Sequence, residues 1–390
     1  MLTLKLAFRN LLGAGLRTWL NVFVLSLSYV VILYVNGMLA GWNVQAKADM
    51  VNWHTGQGQL WHKNYDPLDP FTLQDSYSTI PEALLPSVES GQAAPVLITM
   101  ASFYPEGRIQ SILLKGIASN QQVVDIPTRA FLAEGPEIPA LIGKRMAESN
   151  KIKVGDLITV RWRDRNGTFD AADVMVVDIF NSNVPTIDAG QIWIPLEKLQ
   201  EMLSARGEAT LLIAGEASLL ASAGGEWVAK DLKALTAEID QIIKTKSFGS
   251  SILYVVLLLL AMLAIFDTQV LTIFRRQREI GTQIALGMTR WQVVRLFTAE
   301  GAMNAVLAAL MAAVYGIPFL AQQAKMGIAM PAGTDNMGLA VADKIFPVYS
   351  LGLIGITVVF VLITATIVSY IPSRRIAKMN PTEAIKGKIQ

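Results

Sequence analysis

Residues 19–41 read WLNVFVLSLSYVVILYVNGMLAG, 23 consecutive positions without a charge. A bilayer core about 30 Å thick needs about 20 helical residues at 1.5 Å each. The stretch is therefore long enough to cross a membrane as a helix. Three more windows share the property. Residues 252–273 hold a single charge, Asp267, and residues 348–370 hold none. Residues 293–317 carry Arg295 and Glu300 near their start. Four such windows do not hide in a soluble core, so the chain is read as a four-span membrane protein. A cleaved signal peptide is the alternative for the first window. Its apolar region would exceed the usual length, and the Ala46-Lys47-Ala48 sequence lies beyond it. We read an uncleaved anchor.

Charge sets the expected orientation, because lysine and arginine collect on the cytoplasmic side. Lys5, Arg9 and Arg17 precede the first span. Arg275, Arg276, Arg278 and Arg290 lie between the second and third, against Glu279. Arg374, Arg375, Lys378, Lys386 and Lys388 follow the fourth, against Glu383. Both termini and the 274–292 connection are thus expected in the cytoplasm. Residues 43–248 fall outside, with 18 Lys/Arg against 25 Asp/Glu, net −7, and 319–347 form a second outer loop. An acidic outer domain and lipid-anchoring basic ends argue against nucleic acid as a partner.

The outer segment mixes strand-like and helical patterns, an α+β domain between spans one and two. Strands are expected at 57–61, 109–116, 157–162, 172–180 and 191–194. Helices are expected at 144–150, 196–204 and 227–243, the last leading into span two. Gly155–Asp156 marks a turn. No chemistry is legible here. The chain has no cysteine, which excludes disulfides, thiolate metal sites and thiol nucleophiles. His54 and His62 are expected to be exposed and structural rather than a metal pair. No G-x-S-x-G elbow occurs. Gly143–Lys144 is followed by Arg145 and lacks the upstream glycine of a phosphate loop. The chain is not expected to be an enzyme, or to bind a metal or cofactor.

Two cytoplasmic elements are patterned. Lys5, Arg9, Gly13 and Arg17 recur every four residues beside Leu4, Phe8, Leu11 and Leu12, which reads as an interfacial amphipathic helix over 1–18. In the connection between spans two and three, FRRQREIGTQIALGMTRW, Ile280 and Ile284 share a helical face. A short helix is expected from Glu279 to Leu286, ended by Gly287, with Thr289 capping the next helix. A simple basic connection is the alternative. In the tail, Pro372 is expected to end or bend the last span. Asn36, Asp267, Glu300 and Asn304 are polar positions within the spans. Such groups face the protein interior or reach the interface. They are too isolated to form a proton relay.

The order of parts (span, large outer domain, three spans) resembles the MacB/FtsX-like permeases of ABC transporters, most closely the lipoprotein-releasing LolC/LolE permeases. Arg278–Glu279–Ile280–Gly281, Ala285–Leu286–Gly287–Met288–Thr289–Arg290 and Glu300–Gly301 are similar to that family's ATPase-coupling segment. Pro372–Ser373–Arg374–Arg375 and Asn380–Pro381–Thr382–Glu383–Ala384–Ile385 resemble its C-terminal pattern, with Ile376 and Ile385 in place of alanine and leucine. KIKVGDLITV (151–160), DAGQIWIPLEKL (188–199) and Leu6–Ala7–Phe8–Arg9–Asn10 also fit. The resemblance implies a bacterial inner-membrane permease. It implies two copies of a separate ATPase that binds ATP and magnesium, and a second permease chain, identical or a sister. ATPase coupling would fall on Arg278, Glu279, Ile280, Gly281, Ala285, Leu286, Gly287 and Arg290. The cargo implied is a lipoprotein, with a periplasmic chaperone or adaptor as a further partner. Another amphiphile, drug or peptide is the alternative, as is regulation of an extracytoplasmic cell-wall enzyme.

Overall fold

A computed structural model describes residues 16–105, 108–132, 135, 137–182, 184–329 and 344–378. The expected interfacial helix (its residues 1–15) and the tail motif at Asn380–Ile385 lie outside these, as do residues 330–343 of the second outer loop. The chain divides into two compact units, 1–42 with 243–328 and 346–390, and 43–242 with 329–345.

The first unit holds the spans. Its helices are α1 (Leu16–Met50), α7 (Ala237–Arg275), α8 (Gln277–Ala285), α9 (Arg290–Met326) and α10 (Leu351–Ser373). Four of them are long and apolar enough to cross a bilayer. The protein is a multi-pass membrane protein with a large extracytoplasmic α+β domain between the first and second spans. The spans pack through Val22, Leu25, Tyr29, Met262, Ile265, Ala305, Ala308, Val361 and Ala365. Between membrane helices, association relies on close packing and hydrogen bonds, because lipid is as apolar as leucine. Both devices occur. A Cβ on Gly316 would stand 2.7 Å from Val30 Cγ2, and one on Gly301 would land on Ser369 and stand 2.9 Å from Gln269 Nε2. Gly37 and Gly41 seat the segment that enters α10: their missing side chains leave room for the Tyr349 ring and the Phe346 carbonyl. The Val348 N–H donates to the Gly37 carbonyl at 2.9 Å. Across helices, Asn21 donates to Thr268, Ser26 and Tyr315 share a hydrogen bond of 3.0 Å, and the Tyr29 hydroxyl donates to the Ala305 carbonyl at 3.3 Å.

Gly301→Val should therefore force α9 away from α10. Overpacking of this kind costs about 1–3 kcal/mol. Heat-induced loss of detergent-solubilised protein should begin at a lower temperature than in wild type, and an unchanged onset would refute the packing argument.

Pro318 lies inside α9, and the helix continues past it to Met326. Pro372 likewise sits in α10, which ends one residue later and tightens into a 3₁₀ turn, Arg374–Lys378.

The second unit is built on β1 (Gly58–His62), β2 (Ser78–Thr79), β3 (Ala93–Phe103), β4 (Gln110–Ile117), β5 (Ile138–Gly143), β6 (Leu157–Arg163), β7 (Phe169–Phe180), β8 (Gln191–Pro195), β9 (Glu208–Ala209), β10 (Leu211–Ala214) and β11 (Trp227–Asp231). Its short helices are α2 (Leu85–Glu89), α3 (Lys144–Asn150), α4 (Pro185–Asp188), α5 (Leu196–Met202) and α6 (Leu232–Leu235). The main sheet runs β11-β1-β10-β3-β4-β8-β5-β7-β6, and β6 pairs again with β3. Six strands, from β3 round to β6, thus close on themselves. The eleven residues of β3 make this possible. Its N-terminal half pairs with β10, and Ala101, Ser102 and Phe103 pair with β6. Leu97, Phe103, Leu114, Ile142, Val160, Val176 and Ile192 fill the inside, with Leu196 and Leu199 of α5. Gly116 admits that helix, since a Cβ there would stand 2.8 Å from Leu199 Cβ. Alternate residues, Val96, Ile98, Leu141 and Trp193, are buried in a second core outside the ring.

Two expectations are corrected. The segment 227–243 is not one helix. Trp227–Asp231 is strand β11, antiparallel to β1. Trp227 is buried with Leu60 and Leu212, and its indole N–H donates to the Thr79 carbonyl at 3.3 Å. Tertiary pairing overrides the helical pattern, and Asp231 instead caps α6 by accepting from Ala234 N at 2.8 Å. His62 is buried rather than exposed, 3.4 Å from Glu226 and edge-on to Trp227, while His54 is half-buried.

Candidate functional site

The α8 segment owes its ends to local chemistry. Gly287 adopts φ +101°, a conformation that side chains disfavour. It closes the helix with paired bonds, Gly287 N to the Ile284 carbonyl at 3.1 Å and Met288 N to the Gln283 carbonyl at 3.1 Å. Thr289 then opens α9 with a capping box: its hydroxyl accepts from Gln292 N, and the Gln292 side chain accepts from Thr289 N.

Nine helical residues have two faces. Ile280 and Gly281 are buried, Ile280 against Ile273, Val293, Val294, Phe297 and Ile376. Ile284 and Met288 add to that contact. Arg278, Glu279, Thr282, Ala285 and Leu286 lie on the other side, together with Gly287 and Arg290 just beyond the helix, and all are exposed. Leu286 is 82 % exposed. Of the eight positions singled out in the sequence, six face outward and two anchor the helix.

The decisive contact involves a residue not among the eight. The Arg276 Nη1 group donates to both carboxylate oxygens of Glu300 at 3.1 Å. Its Nε donates to Glu279 at 2.8 Å, and its guanidinium lies 5.0 Å from the Phe297 ring centroid. One side chain therefore ties the third span to the exposed face of α8. Glu300 is buried, whereas the Glu279 side chain is 61 % exposed. The ion pair spans 24 positions, which no local pattern reports.

The other intramembrane polar residues do not join this group. Asp267 sits on an exposed face of α7. Asn36 donates to the Ile32 carbonyl of its own helix at 2.9 Å. Asn304 is buried, and its Oδ1 has no hydrogen-bond partner among the described residues. Gln269 and Ser369, which meet at Gly301, are buried polar positions that sequence reading passed over.

Among the described residues no group of three or more His, Cys, Asp or Glu is placed to hold a metal ion. The outer domain carries an open groove of about 490 Å³, bordered by Phe71, Met100, Ile109 and Phe169 with Arg161 and Arg163. Arg161 lies 4.7 Å from the Phe169 ring centroid. Where α1 and α7 enter this domain, Lys47 and Asp240 pair at 2.7 Å.

Residues 251–381 match the family described as FtsX-like permease C-terminal. That stretch is similar to the FtsX-like permeases. The matched stretch contains α8, Arg276 and Glu300. A solved structure, the extracellular domain of the noncanonic ABC-type transporter YknZ from Gram-positive bacteria, is similar over 43 % of this chain and 89 % of its own, at 16 % identity and a TM-score of 0.28. No curated protein sequence matches the chain.

Proposed function

We propose that this chain is the membrane subunit of an ABC transporter, taking mechanical work from a separate ATPase that binds ATP and magnesium. The observation that carries this reading is the exposed face of α8, fixed through Arg276 to the third span. An apolar knob, Ala285–Leu286, beside two opposite charges, Arg278 and Glu279, is suited to a groove on a soluble partner. Exposed large apolar side chains outside the bilayer mark interaction sites when they cluster. Movement imposed on α8 would pass by Arg276 to α9 and by Ile280 to its core. In this reading α8 and both termini are cytoplasmic, in the inner membrane of a bacterium. Two ATPase copies act on two permease chains, the second identical or a sister.

Glu279→Arg reverses a charge on the exposed face while Ile280 keeps the helix seated. Nucleotide hydrolysis by the reconstituted complex should fall at least several-fold, with the helical content of the variant unchanged. Wild-type turnover would remove α8 from the coupling role.

The cargo proposed is a lipidated protein, drawn from the outer leaflet of that membrane and passed to a periplasmic chaperone. Each acyl CH₂ leaving lipid costs about 0.8 kcal/mol. Extraction therefore needs both an energy source and an apolar acceptor. The groove at Phe71, Ile109 and Phe169, with its arginines, supports contact with an amphiphile or adaptor, and so keeps a non-protein amphiphile as the second reading. Cross-linking during turnover separates them. Acylated protein in the adducts supports the first, and a hydrolysis rate raised by a small amphiphile but not by lipoprotein supports the second. A stable cell-wall enzyme on residues 43–248 would instead make the chain a regulator.

A further inference from the structure

The surface of the third and fourth spans is bulky over most of its length, where Leu310, Val314 and Ile317 of α9 and Phe360, Ile363 and Ile367 of α10 are exposed. Near the start of α9 it drops into a groove of about 340 Å³, lined by Trp291, Arg295, Thr298, Ala302, Thr366 and Tyr370. That size is within the range of small-ligand sites. We propose that this groove holds one anionic phospholipid, with its phosphate on Arg295 and an acyl chain along Ala299 and Ala302.

Three features select this occupant. The first is the floor. Arg295, Thr298, Ala299 and Ala302 recur at helical spacing and share one face of α9. Thr298 and Thr366 each donate their hydroxyl to a carbonyl of their own helix, Val294 at 2.9 Å and Leu362 at 2.7 Å. The floor is therefore small and hydrogen-bond-satisfied, so a hydrocarbon chain can lie on it without stranding a polar group.

The second is the headgroup end. Trp291 and Tyr370 meet edge-on with ring centroids 6.2 Å apart, and Trp291 is half exposed. Amphipathic rings of this kind sit at the headgroup level, which places Arg295, one turn further along α9, just below it.

The third is charge. Arg295 is exposed and makes no ion pair among the described residues. The nearest acid along the helix, Glu300, is buried against Arg276 instead. A fixed cation beside an acyl-sized channel attracts a lipid phosphate, and an anionic lipid more than a zwitterionic one. The inference rests on the helices crossing a bilayer and not on the transport reading, so it is tested without an ATPase.

Full-length protein is purified from micelles with equal phosphatidylglycerol and phosphatidylcholine, and retained lipid is weighed by native mass spectrometry. Wild type should keep one phosphatidylglycerol at least five-fold over phosphatidylcholine. Arg275→Gln removes an exposed arginine outside the groove and should leave this preference intact. Arg295→Gln should abolish it, and Ala302→Leu, which fills the channel without altering charge, should abolish retention. A photoreactive side chain at position 366 should yield an adduct of one phospholipid mass. A phosphatidylglycerol preference kept at its wild-type level in Arg295→Gln, lipid retained in Ala302→Leu, or an adduct with a peptide of this chain or a second copy would each overturn the proposal.

Discussion

Arg276→Ala should destabilise the span unit by about 3–5 kcal/mol, the range for removing one partner of a buried ion pair. The reason is what stays behind. Glu300 is 5 % exposed, and without the guanidinium its buried carboxylate loses the two hydrogen bonds and the charge that Arg276 supplies. Most of the loss is that desolvation, not the attraction itself. Replacing both residues, with Arg276→Met and Glu300→Leu together, should recover most of it, because an apolar pair of similar volume is often as stable as the ion pair it replaces. Glu279→Gln should cost less than about 1 kcal/mol, since its carboxylate is largely solvated. Heat unfolding of the three proteins in detergent measures these differences. A double variant as weak as Arg276→Ala would show that the pair contributes net attraction. The same variant separates structure from transmission: if Arg276 carries movement from α8 to α9, the refolded double variant should still lose coupled hydrolysis.

The spans were legible because length and missing charge are properties of a continuous stretch, and nothing distant can mimic them. The α8 segment was legible for a related reason: Ile280, Ile284, Gly287 and Thr289 act on neighbours a turn away. Arg276 was not. It lies among other arginines, and only the approach of α9 distinguishes it. The strands of the outer domain divide along similar lines. β6 buries every second residue, and its alternation is visible in LITVRWR. Strand β3, AAPVLITMASF, is buried on nearly every residue because a core covers each face, so it has no alternation to read. The Gly37-Met-Leu-Ala-Gly41 spacing is a known device for close helix contact, and here it is used within the chain, against Tyr349 and Phe346.

Raising the pH from about 8 toward 10.5 should strengthen the outer domain through Lys115. This lysine lies in β4, beside Trp193 of β8, and its ammonium is 5.0 Å from the indole ring centroid. Burial pushes its pKa down from 10.5 to about 8. The folded state therefore releases its proton before the unfolded chain does. Between those two values the unfolded chain holds more protons, so stability rises with pH through the folded pKa and levels off above the unfolded one. Below about 8 the penalty for the buried charge is present in full. A fall from 10.5 to about 8 corresponds to about 3 kcal/mol. That figure is a ceiling, because the ring face attracts the charged form and works in the opposite direction. Lys115→Met should remove the pH dependence and leave the domain more stable at pH 7. Hydrogen exchange of the β4 and β8 amides in the full-length protein, corrected for intrinsic rates, measures both effects. The difference between wild type and variant should shrink as pH rises, since a neutral amine under the indole differs little from a thioether. A difference constant across the range would mean that the lysine keeps its charge by contact with water, and that the ring, not burial, governs this wall of the domain.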